Sequence, residues 1–405
     1  MKIKKTFFAC LCLVLFFAAV SCERKIITVP IVPPVVWTPE NALKQTTVMP
    51  KIDDDEASDS LLNAIELSLQ KFREMDRTAT MRFGGTAVAI EKIIASLEDF
   101  RANLAALGMG DKFYRYVREN YIFYNSAAAQ VLFTGYYEPQ LLGSLCPSEI
   151  YRYPIYGKPA DLYTIDLQQY SFYKQHPDLP PRIKGRLATN NRIVPYYSRS
   201  EIDFQNKLAD QGLELVWVDS LIDVFFMQVQ GSGQVLLDNG ESLRIGYADQ
   251  NGHPYRSIGK FMVESGALSS QQVSMQNLRA YLQTHPDEIP LIFNYNPSYI
   301  FFNINEQGPT GSFGAALTPW RSIATDPRLF PPGTLSYIEC EKPLLDEQNC
   351  IVGWKKFGRF VLNQDSGGAI RGPDRVDLFT GAGDVAAIVA GGMKQKGRLF
   401  FLLKK

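Results

Sequence analysis

The sequence predicts a mostly β protein with an N-terminal helical lead-in, on three observations. Apolar residues recur at helical spacing chiefly between Ser58 and Asn120. From about Gln130 onward they fall instead into short runs rich in Val, Ile, Phe and Tyr, punctuated by Gly, Pro, Asn and Asp. Beyond the first twenty residues there is no stretch apolar enough to span a bilayer, and no internal repeat.

The elements follow in order. Lys2, Lys4 and Lys5 precede an apolar core from Phe7 to Val20, the layout of an export signal over residues 1–21. Ala19-Val20-Ser21-Cys22 looks like a bacterial lipobox, which makes Cys22 the lipidated first residue of the mature chain; ordinary secretion with cleavage nearby is the alternative. Residues 22–56, proline-rich and then acidic at Asp53-Asp54-Asp55-Glu56, read as a tether. Ser58 or Ser60 can cap a helix striped by Leu61, Ile65, Leu69 and Phe72. A second helix is expected from Thr86 to Leu107, closed by Gly108, and a short third from Asp111 to Asn120. Strands are expected at Val131–Pro139, at Val224–Gly233, and on both sides of the Asp238-Asn239-Gly240 turn. Phe261–Leu282 looks helical with a break near Ser269. A strand returns at Asn296–Phe302, and further short β runs continue to the end.

Charge excludes one class. The full chain balances 42 basic against 42 acidic residues, and removing residues 1–21 leaves 39 against 42. A near-neutral body lacks the basic field that nucleic-acid binding needs. Of the six cysteines, Cys146, Cys340 and Cys350 remain once the signal and Cys22 are set aside. Cys340 and Cys350 lie on what reads as one hairpin, which leaves a disulfide and two free thiols both open. His176, His253 and His285 are scattered, so no metal and no cofactor is expected.

The carboxylates carry the chemistry. Gln364-Asp365-Ser366-Gly367-Gly368 and Arg375-Val376-Asp377-Leu378-Phe379 place two aspartates twelve residues apart in apolar, strand-like sequence. Asp377 is expected to leave its strand for a cleft, where desolvation and the nearby charge of Asp365 raise its pKa and keep a proton available. Asp365, one hairpin earlier, is a second catalytic candidate that reads as a support ahead of a direct participant, with a turn cap as the plain alternative, and Asp326, before Pro327, reads as a turn-former. A lone Asp-Ser-Gly lacks the second carboxylate frame of an aspartic protease. Gln230-Gly231-Ser232-Gly233 is neither a nucleophile elbow nor a phosphate loop.

These aspartate frames resemble the three-aspartate domain of bacterial cell-wall enzymes. Thr134-Gly135-Tyr136-Tyr137-Glu138-Pro139, Tyr153-Pro154-Ile155-Tyr156, Gln228-Val229-Gln230-Gly231-Ser232-Gly233, Gly246-Tyr247-Ala248, Tyr255-Arg256-Ser257-Ile258-Gly259-Lys260 and Asn296-Pro297-Ser298-Tyr299 narrow the resemblance further. Together they are similar, in order, to the motifs of the membrane-bound lytic murein transglycosylase A family, over roughly residues 60–405. The resemblance implies a double-psi β-barrel from residues 57–138 and 309–405. It also implies a second β domain, 139–308, inserted so that a glycan strand lies between the two. It implies that Asp377 is the catalytic acid and Asp365 its supporting aspartate. Thr134, Gly135, Tyr136, Tyr137, Gln228, Gln230, Gly231, Ser232 and Lys260 become candidate substrate contacts. The expected partners are peptidoglycan strands and, through lipid on Cys22, the periplasmic face of the outer membrane. The protein is expected to act as a monomer. Gly383-Asp384-Val385-Ala386 is more acidic than the family pattern suggests. A two-carboxylate peptidoglycan hydrolase and a non-catalytic peptidoglycan-binding lipoprotein are the alternatives.

Overall fold

Ser58–Arg73, Ile90–Leu107 and Asp111–Asn120 are helices, and their apolar stripes turn inward as spaced: Leu61, Ile65, Leu69 and Phe72 are fully buried, as are Phe100 and Phe113. The computed structural model describes residues 36–405 apart from Ala129, Pro177, Asp178, Glu306 and Gln307. The export signal and Cys22 lie outside the described residues. The second helix starts four residues later than its apolar pattern suggests. Thr86–Ala89 instead pairs with Thr80–Phe83 as a short hairpin around Gly84 and Gly85.

These helices pack on a sheet that closes on itself. Going round, Lys394–Lys404 joins Leu335–Leu345, then Ile351–Asp365, Ser322–Ala324, Arg375–Ala382 and Val131–Glu138, which returns to Lys394–Lys404. Closure leaves this ring without a free edge, and Phe133, Ile323, Leu362, Val376 and Phe400 from its strands share one buried core with the lead-in helices. Two of the six contacts are parallel: Ser322–Ala324 with Ile351–Asp365, and Arg375–Ala382 with Val131–Glu138.

Pro139 ends the strand Val131–Glu138, and the chain passes directly into a second sheet at Gln140–Ser144. That sheet runs Ile300–Ile304, Ser242–Gln250, Gly233–Leu237, Gln140–Ser144, Glu214–Val218, Tyr153–Tyr156, with its own core of Leu141, Val216, Val235 and Phe302. The Asp238-Asn239-Gly240 turn links two of its strands, with Gly240 at φ +86°. A smaller three-stranded sheet holds Tyr163–Asp166, Arg182–Leu187 and Ile193–Val194.

Two expectations are corrected and one open alternative is decided. Val224–Gly233 is not a strand: Leu221–Gln230 is a helix, capped by the Ser220 hydroxyl, which accepts the Asp223 amide at 3.2 Å, and ended by Gly231 at φ +84°. The helix is apolar on two sides, with Phe225 and Phe226 in one core and Val224 and Met227 in another. Its apolar run therefore hides the 3.6-residue period. The hairpin around Cys340 and Cys350 exists, but Cys340 pairs with Phe357 while Cys350 sits at the turn, and both are free thiols. The end of the expected tether is built into the folded body. Leu43–Thr46 pairs with Tyr121–Ser126. Asp54 and Arg321 form an ion pair at 2.6 Å with both side chains fully buried. Asp54 also accepts the Phe360 amide at 2.9 Å, and Asp55 accepts from Arg359 and Lys342. Such a pair persists because backbone groups satisfy what the partner does not.

Candidate active site

The ring brings the three aspartates together through one short strand. Ala324 of Ser322–Ala324 pairs with Asp365 on one side and Asp377 on the other. The two carboxylates are thus not hairpin neighbours, as the sequence suggested, but lie across an interposed strand. Asp326 follows two residues later.

Asp365 is saturated. Its Oδ1 accepts the amides of Ser312 and Ser366, each at 2.8 Å, and its Oδ2 accepts the Tyr136 hydroxyl at 2.9 Å. The Ser312 contact needs Gly311, where any Cβ would collide with the Gln364 carbonyl. Gln364 itself is tied to the first helix, donating to Ala64 O and Ser68 Oγ at 2.9 Å each, so the lead-in steadies the Asp365 strand. Burial raises the Asp365 carboxyl and outweighs these donors.

Asp377 is held differently. Parallel register places Thr134 directly opposite it, so both side chains leave the same face. The Thr134 hydroxyl donates to Asp377 Oδ1. Arg375, two residues earlier on the same face, puts Nη2 3.6 Å from that oxygen and 3.1 Å from Thr134 Oγ1. Oδ2 accepts no hydrogen bond from the described residues. Burial pushes the Asp377 carboxyl up to about 6; Arg375 opposes the rise and the charge on Asp365 adds to it. This is an acid poised near neutrality beside a second carboxylate that is fully engaged.

Asp326 stays a structural anion. Burial opposes its ionisation, but hydrogen bonds from Arg328 and from the Gly372 and Arg328 amides prevail and hold its carboxyl below the usual range. Its side chain is inaccessible, and the 3.0 Å bond from Gly372 fixes the loop that joins Asp365 to Asp377.

The expected substrate contacts divide. Tyr136 is buried against Phe379, its ring 5.2 Å away, and serves Asp365. Gly135 lies on the helix Gly383–Gly392, where a Cβ would meet Ala390 Cα at 2.7 Å. Tyr137 is buried against Ala386 and Ala390, and its amide donates to Gln230 Oε1 at 3.1 Å. Gln228 is buried and accepts Arg199 Nη2 at 2.5 Å. Gly231 closes its helix, and Ser232 beside it is half-buried. Lys260 is exposed and lies 3.6 Å from Glu264. Asp384 falls in the first turn of the helix Gly383–Gly392.

Sequence reasoning passed over Arg375, Ser312 and Tyr255. Two-residue spacing on a strand could have found Arg375. Ser312 arrives from a distant loop and left no local signal. Tyr255 abuts the Asp365–Asp377 loop: a Cβ at Gly368 would lie 4.0 Å from Tyr255 Cβ. Its phenol is raised, first by the protein around it and then by the Asp377 charge. Hollows of about 310 and 290 Å³ lie elsewhere, and neither is lined by Asp365 or Asp377.

Residues 132–303 match the MltA specific insert domain and residues 321–403 match the 3D domain. The membrane-bound lytic murein transglycosylase A of Vibrio cholerae is 31% identical over 311 residues, 76% of this chain and 71% of that protein. The chain belongs to the membrane-bound lytic murein transglycosylase A family. The Escherichia coli K12 member is 33% identical over 275 residues, 67% of this chain and 65% of its own. The crystal structure of membrane-bound lytic murein transglycosylase from Agrobacterium tumefaciens superposes with a TM-score of 0.72 at 29% identity, covering 86% of this chain and 93% of that one. This family member is mostly β, with barrel-like sheets. Among its described residues no helix is long and apolar enough to cross a membrane.

Proposed function

We propose that this protein is a peptidoglycan lytic transglycosylase that cleaves the β-1,4 bond between N-acetylmuramic acid and N-acetylglucosamine with Asp377 as its single acid and base. The family relation supports the substrate. The observation that carries the assignment is the contrast between the two aspartates. Asp365 has both oxygens engaged, whereas Asp377 holds a carboxyl raised to about 6 with Oδ2 free of protein donors among the described residues. Asp377 protonates the glycosidic oxygen as the bond to C1 breaks. The resulting carboxylate then takes the proton from the muramoyl O6 hydroxyl as O6 closes on C1, leaving a 1,6-anhydro end. Because the attacking hydroxyl belongs to the same sugar, its effective concentration is high and no second carboxylate has to activate water.

In this reading the closed ring is a double-psi β-barrel, supported by its six strands and two parallel contacts. Residues 57–138 and 309–405 form it, and residues 139–308 form the opposite wall of a glycan groove, where Tyr255 approaches the aspartate loop. Lipidation of Cys22 holds the monomeric enzyme on the periplasmic face of the outer membrane. Mass spectrometry of digested murein tests the chemistry. Anhydro-ended muropeptides are expected, and Asp377→Asn abolishes their release; reducing ends would instead establish hydrolysis, and no release from the wild type would leave a binding protein.

A further inference from the structure

Thr134 stands among the candidate sugar contacts, yet its geometry commits it elsewhere. A threonine hydroxyl has one hydrogen to give. Here the hydroxyl accepts Arg375 Nη2 at 3.1 Å, and its own hydrogen points to Asp377 Oδ1. Arginine can only donate, so the chain runs one way, from Arg375 to Thr134 to Asp377. An oxygen that faces a hydroxyl hydrogen and a guanidinium 3.6 Å away is a poor seat for a further proton.

We propose that Thr134 and Arg375 are positioning residues that bind Asp377 Oδ1 as an acceptor and thereby confine the catalytic proton to Oδ2. This rests on Asp377 being the acid and base of the reaction above. The Oδ2–H bond breaks as the glycosidic oxygen takes the proton and the electrons of its bond to C1. Oδ2 later recovers a proton from O6 as the new O6–C1 bond forms. Without the relay, the proton distributes over both oxygens and half of the acid faces away from the linkage. Asp365, from the next strand but one, also bears on Asp377, and the raised phenols of Tyr136 and Tyr255 feel its charge; Lys394 lies opposite Thr134 on the neighbouring strand. None of these donates to Oδ1 in the structure, so the relay is separable from them by substitution.

The test is the pH profile of murein release by the full-length protein, with kcat and KM resolved. Thr134→Val removes the hydroxyl at nearly constant shape. It is expected to lower kcat about tenfold, to leave KM within about twofold, and to move the basic limb of kcat/KM up by about one pH unit, because the carboxylate loses a charge-assisted hydrogen bond. Arg375→Met shifts the limb in the same direction. Thr134→Ser keeps the hydroxyl and brings the limb back, which separates a lost hydrogen bond from damage to the barrel. A Thr134→Val enzyme with a raised KM and an unmoved limb would overturn the relay and return Thr134 to sugar binding. A wild type that forms no anhydro ends would instead overturn the reading of Asp377 on which the relay rests.

Discussion

Asp377→Asn should abolish activity and, at neutral pH, make the protein more stable. An acid whose pKa rises from 3.8 to about 6 on folding ionises at pH 7 against a cost on the order of 3 kcal/mol. Asparagine keeps the shape and an acceptor for Thr134 but carries no charge to desolvate. The attraction of Arg375, 3.6 Å away, is already contained in that value, so the neutral asparagine forfeits nothing further. The net expectation is a gain on the order of 3 kcal/mol at pH 7. The sign reverses the usual behaviour of a surface aspartate. Below pH 3.8 the wild-type side chain is neutral in both folded and unfolded states, and no penalty exists. As pH rises towards 6, the unfolded chain releases its proton while the folded chain retains it, so wild-type stability falls relative to the variant. Above 6 the difference is constant. Urea unfolding of both proteins at pH 4 and pH 7 measures this directly. Equal stability at both values, or a wild type that is the more stable at pH 7, would refute the claim that burial raises this carboxyl.

Tyr136→Phe removes one of three donors from Asp365 and leaves the ring against Phe379 in place; kcat is expected to fall roughly tenfold with little change in KM, measured on purified murein. Arg321→Met leaves Asp54 buried without its counter-charge, and urea titration should show a loss of about 3–5 kcal/mol. Gln228→Leu strips a buried acceptor from Arg199 and should cost about 2 kcal/mol in the same assay, whereas a sugar-contact role would raise KM at constant stability. Because Cys340 and Cys350 are free, the melting temperature should be the same with and without reductant; a drop on reduction would show that they pair.

What was legible in the sequence was local. The lead-in helices declared themselves because each buries one face, and the Asp238-Asn239-Gly240 turn because its geometry demands those residues. The helix Leu221–Gln230 did not, since two cores claim opposite sides of it. Asp365 and Asp377 stood out as carboxylates in apolar frames, but their inequivalence did not. That difference depends on Ser312, Tyr136, Thr134 and Arg375, three of which arrive on segments remote in sequence from the aspartate they serve. It also depends on Ser322–Ala324, a strand of three residues inserted between the two aspartate strands. Without it, the pair would be adjacent in a hairpin, near enough to share one proton as a dyad does. With it, repulsion from Asp365 still raises Asp377, yet each carboxylate keeps its own set of donors. A reaction that uses one group first as acid and then as base needs that separation, because a proton shared with a neighbour would be held between them instead of being handed to the sugar.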